Sequence, residues 1–206
     1  MSKKYGFNLA EVIITLVIIG VIITLMLRIT NRASVDADKM LYVKTYRVLD
    51  HIIYDIINDP NKYSQEYGAT SSHDFSQAPL SISVGKPPIV RLNDVDIVLN
   101  KDSALCYYVA EKLQTKGKIN CESNGAPNFT TSNGVIWSGL YGAIGATPNT
   151  ITVDVCESTG IPDDQCDDKK GRYQILVYRN GKIAPPTTTG RPEADFLKQQ
   201  TDMRAK

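Results

Sequence analysis

The sequence predicts an α+β fold: a long N-terminal α-helix, membrane-inserting in its first half, packed by its second half on a C-terminal antiparallel β-sheet head. Three observations carry that expectation. Residues Val12 to Leu27 read VIITLVIIGVIITLML, an uncharged run broken only by Thr15, Gly20 and Thr24. Apolar residues then recur at helical spacing, at Met40, Leu41, Val48, Leu49, Ile52, Ile53, Ile56 and Ile57. The remainder holds short β-branched runs separated by turn residues, with Asn-Gly at 133–134 and 180–181.

The apolar run comes first. Extended back to Phe7, it approaches the ~20 residues needed to cross a bilayer. Its β-branched residues lower helix propensity in water. In lipid the backbone must satisfy its own hydrogen bonds, so helix is the expected state. No A-x-A cleavage signal follows Leu27; Arg28 does, and the apolar core is expected to stay on the mature chain. Lys3 and Lys4 precede the core and favour a cytoplasmic N-terminus, whereas Arg28 and Arg32 pull the other way.

Glu11 is the unusual residue. A carboxylate at the edge of an apolar span is expensive and calls for a cationic partner. A cut between Gly6 and Phe7 would create one, the free α-amino group of Phe7. Paired across a subunit contact, amine and acid would attract strongly in low dielectric and fix register. The competing reading is a solvated flank at the membrane interface.

These residues together, Lys3-Lys4-Tyr5-Gly6-Phe7, Asn8-Leu9-Ala10-Glu11 and the apolar run, closely resemble the prepilin signal of type IV pilins and type II secretion pseudopilins. The match covers about 25 residues and is specific as a combination. The resemblance implies a pilin-like fold, peptidase cleavage after Gly6 and N-methylation of Phe7. It implies that Glu11 pairs with a neighbouring subunit's amine during assembly. The implied partners are other pilin or pseudopilin subunits, a prepilin peptidase, and an inner-membrane platform with a cytoplasmic ATPase. The chain would begin in the cytoplasmic membrane, single-pass with a cytoplasmic N-terminus, and end in an extracytoplasmic filament. The expected organisation is a leader at 1–6, a transmembrane and filament-core helix at 7–28, an amphipathic helix at 29–59 and a β-rich head at 60–206. One departure is Arg28, which stands where many family members carry proline.

The second half of the helix presents Asp36, Asp38, Lys39, Lys44, Arg47, Asp50 and Asp55 opposite the apolar stripe. Asp59-Pro60 should end it, because the residue before proline is biased out of the helical region. A polar, turn-rich stretch follows to Pro79. Strands are expected at Leu80–Val84, Ile89–Leu92, Val95–Leu99, Ala104–Val109, Val135–Leu140, Thr150–Val155 and Tyr173–Tyr178. The tail from Pro185 to Gly190 reads as irregular, and Glu193 to Lys206 as a short, poorly packed helix.

All four cysteines, Cys106, Cys121, Cys156 and Cys166, follow the apolar segment, and their spacing is not that of a zinc site. They read as disulfides of an oxidising compartment. Three pairings exist and sequence does not choose among them; sequential pairing closes the shortest loops and is favoured.

Catalytic signatures are missing from the head: no G-x-S-x-G, H-E-x-x-H, P-loop or dinucleotide fingerprint occurs, and His51 and His73 are the only histidines. No enzymatic role is expected. Asp163, Asp164, Asp167 and Asp168 form an acidic run that a calcium ion would suit. Lys169, Lys170 and Arg172 follow at once, and a solvated, disulfide-tethered loop is the preferred reading. Lys112, Lys116 and Lys118 cluster too, but a net charge of +1 over 206 residues argues against nucleic acid as a partner. The alternative to a filament subunit is a signal-anchored extracytoplasmic binding module or enzyme that does not polymerise, with a convergent polar pocket in its head.

Overall fold

The computed structural model describes residues 9–63, 75, 88–92, 94–123, 127–188 and 190–204. It resolves into two compact units, residues 1–37 and 38–206. Helix α1 runs Leu9–Asn58, so the division falls inside it rather than at its end. The fold is α+β with antiparallel sheets, as the sequence predicts.

In the 38–206 unit α1 buries Tyr42, Val43, Leu49, Ile52, Ile53, Ile56 and Ile57, at i, i+3/i+4 spacing. The expected stripe is therefore shifted at its start. Met40 is 61% exposed and Val48 is exposed, while Tyr42 and Val43 take the inward positions. The helix ends where Asp59-Pro60 requires it, and Asp59 Oδ1 accepts the Asn61 N–H at 3.0 Å.

Strands β1 (Ile89–Leu92) and β2 (Val95–Val98) form a separate antiparallel hairpin. Six more strands form one meander in chain order: β3 (Thr115–Lys116), β4 (Phe129–Thr131), β5 (Ile136–Ser138), β6 (Asn149–Asp154), β7 (Arg172–Val177) and β8 (Ile183–Ala184). The single sheet expected is thus a six-stranded sheet plus a detached pair. Register sets the core: Ile151 faces Ile175 and Val153 faces Tyr173, and all four are fully buried. Phe129 and Trp137 stack across β4 and β5 with centroids 6.0 Å apart. Asn180-Gly181 turns β7 into β8, and the Tyr178 N–H reaches the Lys182 carbonyl at 2.9 Å. Gly181 (φ 78°) lies against α1 so closely that a Cβ there would sit 2.9 Å from Ile57 Cδ1.

Two expectations are corrected. Ala104–Val109 is not a strand but belongs to helix α2 (Ala104–Lys112). Every residue from Ala104 to Ala110 is buried, and a fully buried run shows no face by which periodicity separates helix from strand. Asn100 starts the helix, its Oδ1 accepting the N–H groups of Asp102 and Ser103, each at 2.9 Å. The C-terminal helix, Glu193–Arg204, is not poorly packed at its start: Glu193 is fully buried and Phe196 sits in the core. A short helix at Cys156–Thr159 (α3) and a 3-10 turn at Asp163–Gln165 lie between β6 and β7, making the C-terminal helix α4. The expected strand Leu80–Val84 lies outside the described residues.

Candidate functional site

The N-terminal part of α1 exposes what a water-soluble helix hides. Each side chain from Val12 to Met26 is exposed, and the large apolar ones among them range from 39% to 63%. No charge interrupts them. The two hydroxyls in this stretch are satisfied by the helix itself: Thr15 Oγ1 donates to the Val12 carbonyl and Thr24 Oγ1 to the Gly20 carbonyl, both at 2.8 Å. This segment therefore presents no unpaired side-chain donor to an apolar surrounding, the condition for placing a helix in lipid or among other apolar helices. A contiguous apolar surface of this kind marks an interaction site. Burying each large side chain fully contributes about 1.5–3 kcal/mol. Gly20 leaves open space, with nothing within 4 Å of a Cβ placed there.

Among the described residues no helix is long and apolar enough to cross a membrane. Described side chains in the apolar run span 12–26, fewer than the ~20 a bilayer needs. Gly6 and Phe7, the expected cleavage and methylation site, lie outside the described residues, as does His73. Glu11 is placed by its backbone in α1, and its side chain also lies outside them. His51 is exposed on α1, 3.7 Å from Asp55 one turn on, an ordinary solvated i, i+4 position.

The cysteines form two disulfides, Cys106–Cys121 and Cys156–Cys166, the pairing that closes the shortest loops. The first lies in the main core beside α2, and the second forms a small satellite cluster with Ile161. The second closes the acidic loop, but that loop does not gather its carboxylates as a calcium site would. Asp167 Oδ1 accepts the backbone N–H groups of Lys169 and Lys170 at 2.8 and 2.9 Å. Asp168 pairs instead with Arg191 at 2.9 Å. Asp163 and Asp164 point to solvent. Among the described residues the one cluster with metal-ligand spacing is Asp154, Cys156 and Cys166. Its two sulfurs are joined to each other, and Asp154 already holds Arg172 at 3.1 Å and the Cys156 N–H at 3.0 Å. A cation has no free ligand set there.

The sequence reading missed the buried polar network between α1, β7 and α4. Tyr173 donates its hydroxyl to Asp38 Oδ2, and Tyr42 donates to the Gln174 carbonyl at 3.1 Å. Glu193 Oε1 accepts from the Gln174 N–H at 3.0 Å and from Arg191 Nη1 at 2.8 Å. Burial above all, and then the neighbouring carboxylates, push the Tyr42 and Tyr173 phenols well above their ordinary range. Asp38, expected on the solvated face of the helix, is 2% exposed; its i, i+4 spacing from the buried Tyr42 is the signal that it turns inward.

Comparison of the chain with protein-family models, with curated proteins and with solved structures finds no match.

Proposed function

We propose that this chain is a structural subunit of a type IV pilus or type II secretion pseudopilus, processed by a prepilin peptidase and polymerised through its N-terminal helix. The observation that carries the reading is α1 itself: an uncharged helical surface from Val12 to Met26, with its hydroxyls folded back on the helix. Such a surface is suited first to a bilayer and then to the core of a helical bundle. The prepilin-like residues around Gly6, Phe7 and Glu11 fit the same sequence of events. Two disulfides in the 38–206 unit suit an extracytoplasmic compartment. In this reading the subunit starts in the cytoplasmic membrane, is moved by an assembly platform and its ATPase, and packs with like subunits. Its role is structural, without a reaction of its own.

In the assembled state Glu11 sets register by meeting the amine that cleavage creates. Glu11→Ala should leave processing intact and deplete the subunit from sheared filaments. Wild type and variant are compared in the sheared and membrane fractions by immunoblot. Equal recovery of the two in the filament fraction would refute the role.

A further inference from the structure

The 38–206 unit carries a groove of its own. Helix α1, the end of α2 and the β4–β5 turn enclose about 270 Å³. Leu41, Val48, Leu113, Val135 and Trp137 make its apolar wall. Lys44 and Lys112 line it as well, and no acid does among the described residues. Glu111, next to Lys112, is turned to Lys62 at 3.7 Å, and Lys112 has no acidic partner among the described residues. The walls are held in place: the Ser132 N–H reaches the Gln114 carbonyl at 2.8 Å, and the Thr131 N–H the Val135 carbonyl at 2.9 Å. Trp137 is only 2% exposed, yet its Nε1–H has no acceptor among the described residues. The complement of this groove is a segment that brings carboxylates to Lys44 and Lys112.

The chain carries such a segment. Asp163 and Asp164 stand exposed on the 3-10 turn inside the Cys156–Cys166 loop. Asp167 and Asp168, just after Cys166, are held by the Lys169 and Lys170 N–H groups and by Arg191, and no cation pairs with Asp163 or Asp164 among the described residues. We propose that the acidic loop of one copy docks in the Lys44/Lys112 groove of a second copy. Asp163 and Asp164 face the two lysines. Groove and loop are different patches, so the contact is heterologous and can repeat from subunit to subunit. It rests on the filament reading for its setting, though not for its chemistry.

Trp137 is the one tryptophan in the chain and reports on the groove directly. The full chain in detergent micelles is titrated with a synthetic peptide of residues 155–168, closed by its disulfide. The expected result is a saturable change in tryptophan emission that weakens with salt. Roughly tenfold weaker binding is expected for Lys44→Glu with Lys112→Glu, and for a peptide carrying Asp163→Asn with Asp164→Asn. No saturable change, or an equal response to the neutral peptide, overturns the proposal. A second arm measures sheared filament yield. Lys44→Glu/Lys112→Glu and Asp163→Lys/Asp164→Lys should each lower it, and the four changes together should restore it; failure to restore counts against the contact. Absence of filaments from the wild type would reject the filament reading, and the peptide titration would still decide the groove.

Discussion

Tyr173 donates its phenolic hydrogen to Asp38 across 135 residues of sequence, tying β7 to the first buried turn of α1 in the 38–206 unit. Asp38 is 2% exposed, and its Oδ1 has no partner among the described residues. The bond to Tyr173 is thus the main compensation for a desolvated carboxyl. Tyr173→Phe should destabilise the protein by about 1–3 kcal/mol, because it strands that acid. Adding Asp38→Leu should recover much of the loss, since removing both partners is far less costly than removing one. Urea unfolding of the detergent-solubilised chain, monitored by circular dichroism, measures both. A double variant no more stable than Tyr173→Phe alone would contradict this account.

The buried phenols make stability depend on alkaline pH. Burial, the dominant cause, raises the phenols of Tyr42, Tyr63 and Tyr173 above the ordinary value of 10.0. Tyr46 and Tyr108 are pushed to about 12, by burial first and then by Asp50 for Tyr46 and by Glu111 and Asp59 for Tyr108. Above pH 10 the unfolded chain releases protons that the folded chain keeps, so the unfolded state gains. Stability should be level with respect to these groups below that value and should fall as pH rises from 10 toward 12. Urea midpoints at pH 9 and pH 11, with phenolate absorbance followed in parallel, test it. Equal midpoints would show that the phenols ionise alike in both states.

The two disulfides should differ in worth. Cys106–Cys121 closes 15 residues and is fully buried in the main core, whereas Cys156–Cys166 closes 10 and belongs to a small satellite cluster. Replacing the first pair by alanine should cost about 3–5 kcal/mol, near the upper part of the usual range, and the second about 2–3 kcal/mol. Thermal melts of the two double variants give the order directly. The reverse order would place the stability centre at the acidic loop.

Gly139 holds β5 and β6 close. Its φ is 82°, and a Cβ there would lie 2.2 Å from the Thr150 carbonyl oxygen. Gly139→Ala must therefore shift backbone rather than a pliant side chain, and should lower the melting temperature by several degrees, equivalent to about 1–3 kcal/mol. An alanine variant that melts with the wild type would contradict the close approach.

Much of this architecture was legible in the residues because single residue types dictate it. Asp59-Pro60 ends α1 in the structure as in the sequence, since proline acts on the backbone whatever surrounds it. Asn180-Gly181 makes its turn for the same reason. The strands at 89–92, 149–154 and 172–177 followed from β-branched alternation. What escaped was whatever depends on tertiary context. Residues Ala104 to Ala110 of α2 are all buried and show no face to read, although Asn100 and the Ala-Leu-Ala-Glu-Lys content were available as signals. Strands β3 and β4, two and three residues long, fall below any periodicity. Glu193 reads as the start of a poorly packed helix, but Arg191 and the Gln174 N–H allow it to be buried. Calcium stayed an alternative for the acidic loop because spacing counts carboxylates without showing that Asp167 and Asp168 are already engaged.

The central claim is that proteolysis after Gly6 turns an apolar helix into a filament-building one. Mass spectrometry of the N-terminal peptide from protein purified out of its native cells reads this in one step. The account predicts a chain that begins at Phe7 and carries one added methyl group. A chain that still begins at Met1 would contradict it.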